Sequence, residues 1–178
     1  MIDSEPLQRV EVVEARADHL PTIAANIHIS DLWRFLDRFF SEKGFELSLA
    51  PSEKAYSATI EGRVVCMFGV APDADAPNLG RFWLYSLDFT DHPAKELSLV
   101  RRIPQKCHFL LLQCCRGKVQ EMLYNYNKLR SDVGSGNTVA IRWLKRFGFS
   151  VTGTGPIFRF SIERRENNAS RTIQRISS

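Results

Sequence analysis

The chain has 178 residues, a length that fits one domain with a hydrophobic core of ordinary size. Hydrophobic residues make up 44% of the sequence and charged residues 25%, and no apolar run approaches the roughly 18 residues that a membrane-spanning helix needs. Composition therefore predicts a soluble globular protein.

The formal net charge of +4 is concentrated at the C-terminus. Segment 164–178 contains four arginines and one glutamate, so it carries about +3 and leaves the rest of the chain near neutral. The arginines are Arg164, Arg165, Arg171 and Arg175. We expect one domain over residues 1–163, followed by this basic polar tail. Such a tail can contact nucleic-acid phosphates or an acidic partner, whereas composition alone favours a solvated tail.

The four cysteines do not suggest a disulfide framework. Cys114 and Cys115 are adjacent within an apolar segment, and neither Cys66 nor Cys107 completes a pair of metal-ligand motifs. We therefore expect buried, reduced thiols, with a redox switch as the alternative.

The first half of the chain predicts the order strand, helix, helix and three strands. A β-branched run at 10–15 indicates the first strand, and Asp18 is expected to cap a helix that is followed by a second over 30–44. Two strands, 56–60 and 63–70, flank Glu61-Gly62, which suits a hairpin turn. A loop rich in Pro, Asp and Gly spans 71–80, and 81–87 reads as the strongest strand.

The second half predicts a long helix, a strand, a short helix and two closing strands. The long helix begins at Pro104 and continues to Met122, with Gly117 as an unfavourable interior residue. A weak strand covers 128–133, and strands at 149–152 and 157–162 complete the pattern. Between them, 137–148 predicts an amphipathic helix.

That short helix has marked ends and two distinct faces. Asn137 is placed to cap its first turn, and Gly148 can adopt the left-handed conformation that ends a helix. The apolar stripe consists of Ala140, Trp143, Leu144 and Phe147, and the opposite face carries Arg142, Lys145 and Arg146. From the residues alone this is a well-capped core helix.

The spacing of Asn137, Ala140 and Gly148-Phe149 before a strand resembles the fourth helix of the GNAT acetyltransferase fold. The fuller stretch from Gly136 to Phe149 resembles the GNAT-like internal virion proteins of tailed bacteriophages. The resemblance covers most of residues 10–162 and implies an α/β (α+β) fold, in which about four helices flank a mixed central sheet of about six to seven strands.

The resemblance also indicates where acetyltransferase chemistry would lie. The glycine-rich loop that binds the cofactor pyrophosphate corresponds to residues 101–106, which contain no glycine, and Pro104 lacks an N–H donor there. Lys106 likewise stands where a glycine is expected. The tyrosine that protonates the leaving thiolate in such families is replaced by Leu144. We therefore expect no catalytic residue and no metal, with Arg101, Arg102 and Asn137 as vestigial candidates for cofactor binding.

Other candidates for chemistry rest on sparse patterns. Asp88, Asp91 and His92 follow the fourth predicted strand and either form an acid/base cluster or act as turn and cap residues. Asp73 and Asp75 alternate in a loop in the manner of cation ligands. His19, His28 and His108 have no ligand companion at useful spacing.

The leading functional expectation is a non-catalytic phage virion protein that contacts portal, tail or core components. Such a protein would be made in the host cytoplasm and packaged in the virion. The first alternative is an active N-acetyltransferase that uses acetyl-CoA through an atypical cofactor loop. The second is a nucleic-acid-binding module that acts through the arginines of the tail.

Overall fold

The computed structural model describes residues 9–19, 21–23, 52–86, 105–153 and 155–164. The described strands form one seven-stranded sheet in the order β1-β2-β3-β4-β5-β7-β6. They are β1 Val10–Glu14, β2 Lys54–Ile60, β3 Arg63–Pro72, β4 Leu79–Ser86, β5 Lys128–Gly134, β6 Ser150–Thr152 and β7 Ile157–Glu163. The described α-helices are α1 Gln105–Asn125 and α2 Thr138–Phe147. The predicted mixed α/β class is confirmed.

Strand pairing is antiparallel throughout this sheet except between β4 and β5, which run parallel. A parallel pair needs a crossover connection, and α1 lies within the connection from β4 to β5. The β2–β3 hairpin turns at Glu61 and Gly62, whose φ angles are 51° and 73°. Positive φ at both central residues is the type I′ geometry, which matches the twist of the flanking strands.

The two described helices cover one face of the sheet, which we call the helix face. Tyr56 of β2 donates a hydrogen bond to Glu121 of α1 (3.2 Å), while Phe68 of β3 packs on Phe147 of α2 with ring centroids 5.9 Å apart. Tyr56 and Phe68 are paired across the sheet, so both helices lie on the same side. Most of the buried core lies there, between the sheet and the apolar sides of α1 and α2.

Several expected boundaries change. Asp18 lies inside a 3-10 turn, Ala17–His19, instead of capping a helix, and the next helical residues described begin at Pro21, whose ring favours a first helical position. Gly117 does not interrupt α1, which runs through it. The loop after β3 is shorter than expected because β3 extends to Pro72 and β4 begins at Leu79. In the described part of the chain, no helix is long and apolar enough to span a bilayer.

Several predictions fall outside the described residues. These are the helix over 30–44 with His28, the turn with Asp88, Asp91 and His92, the segment with Arg101, Arg102 and Pro104, the tail arginines Arg165, Arg171 and Arg175, and the side chains of Lys106 and His108. The assignment of residues 1–163 to one domain and of 164–178 to a tail stays a prediction.

Candidate active site

The sheet opens between its two parallel strands. β4 and β5 pair only at Leu79–Lys128, Gly80–Leu129 and Arg81–Arg130, although β4 continues to Ser86 and β5 to Gly134. Among the described strands, none pairs with the edge of β4 that faces β5 from Phe82 onward. A parallel ladder that stops this early leaves backbone N–H and C=O groups pointing into the gap between the strands. We call this gap the splay.

Aromatic packing closes the helix side of the splay near its narrow end. The Phe82 ring lies 5.0 Å from Phe149 and 6.3 Å from Phe147, measured between centroids. Phe82 and Phe147 are both buried, so this contact joins β4 firmly to α2. These three phenylalanine rings form one apolar wall of the splay.

Ser86, at the far end of β4, carries an unsatisfied hydroxyl. It is fully buried, and its Oγ has no hydrogen-bond partner. Burying a polar group without a partner costs roughly 1 to 3 kcal/mol, so such groups are rare in native proteins outside ligand sites and strained regions. Ser86 lies beyond the last residue pair of β4 with β5 and opposite Cys66 of β3, so its hydroxyl is on the same side of the sheet as α1.

The α2 residues adopt the predicted capping roles. Asn137 is the N-cap, and its Oδ1 accepts a hydrogen bond from the backbone N–H of Ala140 at 2.9 Å. Gly148 has φ 97°, and the N–H of Phe149 donates to the carbonyl of Leu144 at 3.0 Å, which ends the helix. Leu144 is fully buried in the core. It offers no proton to a leaving group.

The buried thiols are placed as structural groups. Cys66 of β3 and Cys115 of α1 are fully buried, and Cys107 is also buried, whereas Cys114 is exposed. The hydrogen bond with the Cys66 thiol, together with burial, raises the pKa of Cys115 far above its ordinary value. A buried thiol that stays protonated is a poor nucleophile. All four cysteines are free thiols, and the expectation that they are buried is wrong for Cys114.

On the side of the sheet opposite α1 and α2, β4, β5 and β7 carry a charged array. Arg81 Nε donates to Asp73 Oδ2 at 2.7 Å. Asp132 accepts from Arg130 at 2.8 Å and from Arg159 at 3.2 Å. The hydrogen bond from Arg81 is the main cause that lowers the pKa of Asp73. Burial acts to raise the pKa of Asp132, but the hydrogen bonds from its two arginines outweigh burial and lower that pKa.

The interpretation of Asp73 and Asp75 as cation ligands is wrong. Asp73 binds the Arg81 guanidinium, and its Oδ1 accepts from the backbone N–H of Asp75 at 3.0 Å, so it stabilises the turn before β4. Within the described residues, no group of three or more His, Cys, Asp and Glu side chains is arranged to hold a metal ion. His19 Nδ1 and Ser57 Oγ form a hydrogen bond of 2.8 Å that joins the 3-10 turn to β2.

A separate polar cleft of about 660 Å³ lies between α1, the end of α2 and the β6–β7 pair. Arg116, Gln120 and Glu163 are among the residues that line it. The cleft contacts the C-terminal end of α2, at Phe147 and Gly148, whereas the splay opens toward the N-terminal end of α2. The cleft is therefore distinct from the splay.

Comparison with known proteins identifies the fold. No protein-family model matches the sequence, and curated protein sequences give no significant match. Solved structures do match. A GNAT-family acetyltransferase from Streptococcus pneumoniae has a TM-score of 0.55 at 13% identity, covering 88% of this chain and 100% of its own. The ribosomal-protein-S18-alanine N-acetyltransferase of Escherichia coli has a TM-score of 0.52 at 16% identity, covering 90% of this chain and 98% of its own.

A ribosomal L7/L12 alpha-N-protein acetyltransferase, solved in complex with coenzyme A, has a TM-score of 0.53 at 10% identity and covers 86% of this chain and 93% of its own. The chain therefore has the GNAT acetyltransferase fold. At these low sequence identities, the similarity to the three solved structures shows a shared fold alone.

These matches correct the leading functional expectation. The three solved structures described above are acetyltransferases, and none of them is a phage virion protein. The expectation of a non-catalytic virion component is therefore wrong.

Proposed function

We propose that this protein is an N-acetyltransferase that uses acetyl-CoA. The observation that carries the proposal is the splay, where β4 and β5 separate after the Arg81–Arg130 pair. A site between two separating parallel strands is open to a linear ligand and is lined by fixed backbone groups. The proposal is supported by the GNAT fold, since an enzyme of that fold was solved with coenzyme A.

The residues present fit an extended acyl-carrying chain. The unpaired edge of β4, from Phe82 to Ser86, presents backbone donors and acceptors such as an amide-containing pantetheine chain would pair with. The orphan Oγ of Ser86 provides a further hydrogen-bonding group on the same stretch. Arg101 and Arg102 would supply positive charge for phosphates where the glycines are missing, because a guanidinium binds phosphate oxygens in a bidentate manner.

The chemistry requires little from a side-chain acid. Acetyl-CoA supplies an activated thioester: the acceptor amine forms the new N–C bond, the C–S bond breaks, and the amine loses a proton to water. An alkyl thiol has a pKa of about 8.5, so it leaves as a thiolate without prior protonation. Backbone N–H groups of β4 are placed to stabilise charge that develops on the carbonyl oxygen. Leu144 in place of a tyrosine is compatible with this mechanism and predicts a slower enzyme than one with a positioned acid.

The first test is binding. Saturating acetyl-CoA should raise the melting temperature, because a ligand of the native state stabilises it. Incubation with acetyl-CoA and peptides that carry a free N-terminal amine should release free thiol and add one acetyl group to the peptide, as read by mass spectrometry. A melting temperature unchanged by acetyl-CoA, or no acetylation across varied peptides, would overturn the proposal.

Ser86 offers a sharper test. Ser86→Ala removes an unsatisfied buried hydroxyl, so it should leave stability unchanged or raise it by about 1 kcal/mol while reducing the shift that acetyl-CoA produces. The matched control is Ser57→Ala, since Ser57 is equally buried but its hydroxyl contacts His19. That variant should lower stability and keep the acetyl-CoA shift. If Ser86→Ala keeps the full shift, Ser86 is not a ligand contact.

A further inference from the structure

We propose that the outward side of α2, together with the polar cleft at the C-terminal end of that helix, binds the phosphate backbone of single-stranded RNA. Four cations carry this proposal, and we call them the α2 basic patch. They are Arg142, Lys145 and Arg146 of α2 and Arg116 of α1. The inference goes beyond the proposed acetyl transfer and does not depend on it.

Helical spacing places the three cations of α2 on one side of the helix. Arg142, Lys145 and Arg146 stand at i, i+3 and i+4, a spacing that puts Cβ atoms about 5 to 6 Å apart. All three residues are exposed, whereas α2 buries its opposite side in the core. Thr138 is the other exposed residue of this helix. The side of α2 that meets solvent is therefore almost entirely cationic.

These cations have no carboxylate to balance them. α2 contains neither Asp nor Glu, and within the described residues none of its three cations forms an ion pair. The Nε of Arg142 donates to the carbonyl of Thr138 at 3.3 Å, which leaves the terminal nitrogens of the guanidinium available. Like charges at this spacing repel one another, so the fold itself gains nothing from placing them together.

The polar cleft extends the patch beyond the end of α2. It contacts α2 at Phe147 and Gly148, and Arg116 lines it from α1. Arg116 also forms no ion pair within the described residues. Neutral polar side chains also line the cleft: Gln120, Ser150 and Ser161. Among the described lining residues the carboxylate is that of Glu163, and Lys128 balances its charge at 2.9 Å. The patch and the cleft together therefore attract anions.

A single RNA strand fits this combination of charge and shape. Arginine and lysine bind phosphate oxygens, and serine and glutamine side chains contact phosphates and sugars. A volume of about 660 Å³ lies in the range of small-ligand pockets, so the cleft admits an unpaired nucleotide, which a duplex does not offer. Its hydroxyl and amide groups can bond to a ribose 2′-hydroxyl, which DNA lacks. Phe147 is buried and gives bases no ring to stack on, so binding should not depend on sequence.

An acidic peptide is less suited to the α2 basic patch. A peptide carries carboxylates only where its sequence places them, and an exposed ion pair contributes little to binding. A nucleic-acid strand carries a phosphate at every nucleotide and releases counterions when cations bind it. The dependence of affinity on salt concentration therefore reports phosphate contacts directly.

The test is the fluorescence anisotropy of a labelled oligouridylate, titrated with the full chain at several KCl concentrations. Each phosphate contact on a single strand contributes roughly 0.7 to the slope of log affinity against log salt, so four cations predict a slope of about −3. The triple variant Arg142→Gln/Lys145→Gln/Arg146→Gln should reduce the slope by about 2 and weaken binding at low salt about tenfold or more. Arg116→Gln alone should reduce the slope by about 0.7.

The matched control removes the same charge near the opposite edge of the sheet. Arg9→Gln/Arg16→Gln/Arg63→Gln replaces three exposed arginines around β1 and at the start of β3. This variant should keep the wild-type slope and affinity. Thermal melts should show both triple variants folded, because all six residues are exposed. If the α2 triple variant melts early, the single variants Lys145→Gln and Arg116→Gln decide, since each should still reduce the slope by about 0.7.

Four results would overturn the proposal. The first is an α2 triple variant with the wild-type slope, and the second is an equal loss of slope in the control. The third is duplex DNA that binds more tightly than the oligouridylate. The fourth is polyglutamate that displaces the RNA at equal charge, which would assign the surface to an acidic protein. A further triple variant, Arg165→Gln/Arg171→Gln/Arg175→Gln, should keep most of the slope. If it alone loses the slope, RNA binds the C-terminal segment instead.

Discussion

Arg81 of β4 and Arg130 of β5 lie opposite each other in the last residue pair that joins the two strands. Like charges placed directly across a pair of strands destabilise the pairing. Here each guanidinium is held by a carboxylate, Asp73 or Asp132 respectively. The aspartates offset the repulsion between the two guanidiniums in this last pair, and the splay begins at the next residue of each strand.

The first prediction concerns Asp73→Asn. The folded-state pKa of Asp73 is lowered, chiefly by the hydrogen bond from Arg81. Between the folded and the unfolded pKa of Asp73, the unfolded state binds more protons than the folded state. The ionised carboxylate therefore stabilises the fold fully above its unfolded pKa of about 3.9. This stabilisation is lost as the pH falls through the lower folded pKa. The variant should be less stable than the wild type at pH 7, and the difference should shrink at acid pH.

Urea unfolding at pH 7 and near pH 3 measures this difference. Asp75→Asn is the matched control, because Asp75 is an exposed carboxylate in the same turn that contributes its backbone N–H to Asp73. It should change stability little at either pH. A difference between wild type and Asp73→Asn that is constant across pH would show that the ion pair with Arg81 does not stabilise the fold.

The second prediction compares two glycines. A Cβ at Gly69 would lie 2.5 Å from a carbon of the Trp83 ring and 2.8 Å from the carbonyl oxygen of Lys54. Gly69→Ala should therefore displace the ring and destabilise the protein by about 1 to 3 kcal/mol. At Gly117, inside α1, nothing lies within 4 Å of such a Cβ. Gly117→Ala should stabilise the protein by up to about 1 kcal/mol through helix propensity.

Thermal melts of the two variants check both signs. Tryptophan fluorescence adds a local readout, since a displaced Trp83 ring changes its hydrogen bond to Ser52. Gly117→Ala should leave the emission spectrum unaltered. A Gly69→Ala protein as stable as the wild type would mean that the sheet accommodates the methyl group by shifting β3 against β4.

The third prediction concerns the thiols. Cys114 is exposed, whereas Cys66, Cys107 and Cys115 are buried. A thiol reagent such as Ellman's should therefore modify one cysteine rapidly in the native protein and all four after denaturation. Cys114→Ser should abolish the rapid phase. Two rapid equivalents in the native protein would show that a buried thiol is reached through local opening, and would contradict the packing of α1 on β3.

How far the sequence predicts the structure depends on the range of the interactions. The caps of α2 at Asn137 and Gly148, and the turn at Glu61-Gly62, are set by neighbouring residues and are confirmed. The splay is not encoded in any one strand, because it depends on where two distant segments stop pairing. The salt bridge of Asp73 with Arg81 is missed for a related reason: an aspartate in a loop resembles a cation ligand until its partner across the turn is known. The alternation of Arg130 and Asp132 with buried Leu129 and Ser131 along β5 is a sequence signal for one buried and one charged side of this strand, which the sequence analysis did not use.

The last prediction separates the capping role of Asn137 from cofactor binding. Its Oδ1 is engaged by the Ala140 N–H, so Asn137→Ala should cost about 1 to 2 kcal/mol of unfolding free energy. Asn137→Ser keeps a side-chain oxygen at the cap and should recover most of that loss. Because the side-chain oxygen caps α2, both variants should keep the melting shift produced by acetyl-CoA. A normal stability combined with a lost shift in Asn137→Ala would instead make Asn137 a ligand contact. Urea unfolding in parallel with acetyl-CoA titration decides between the two roles.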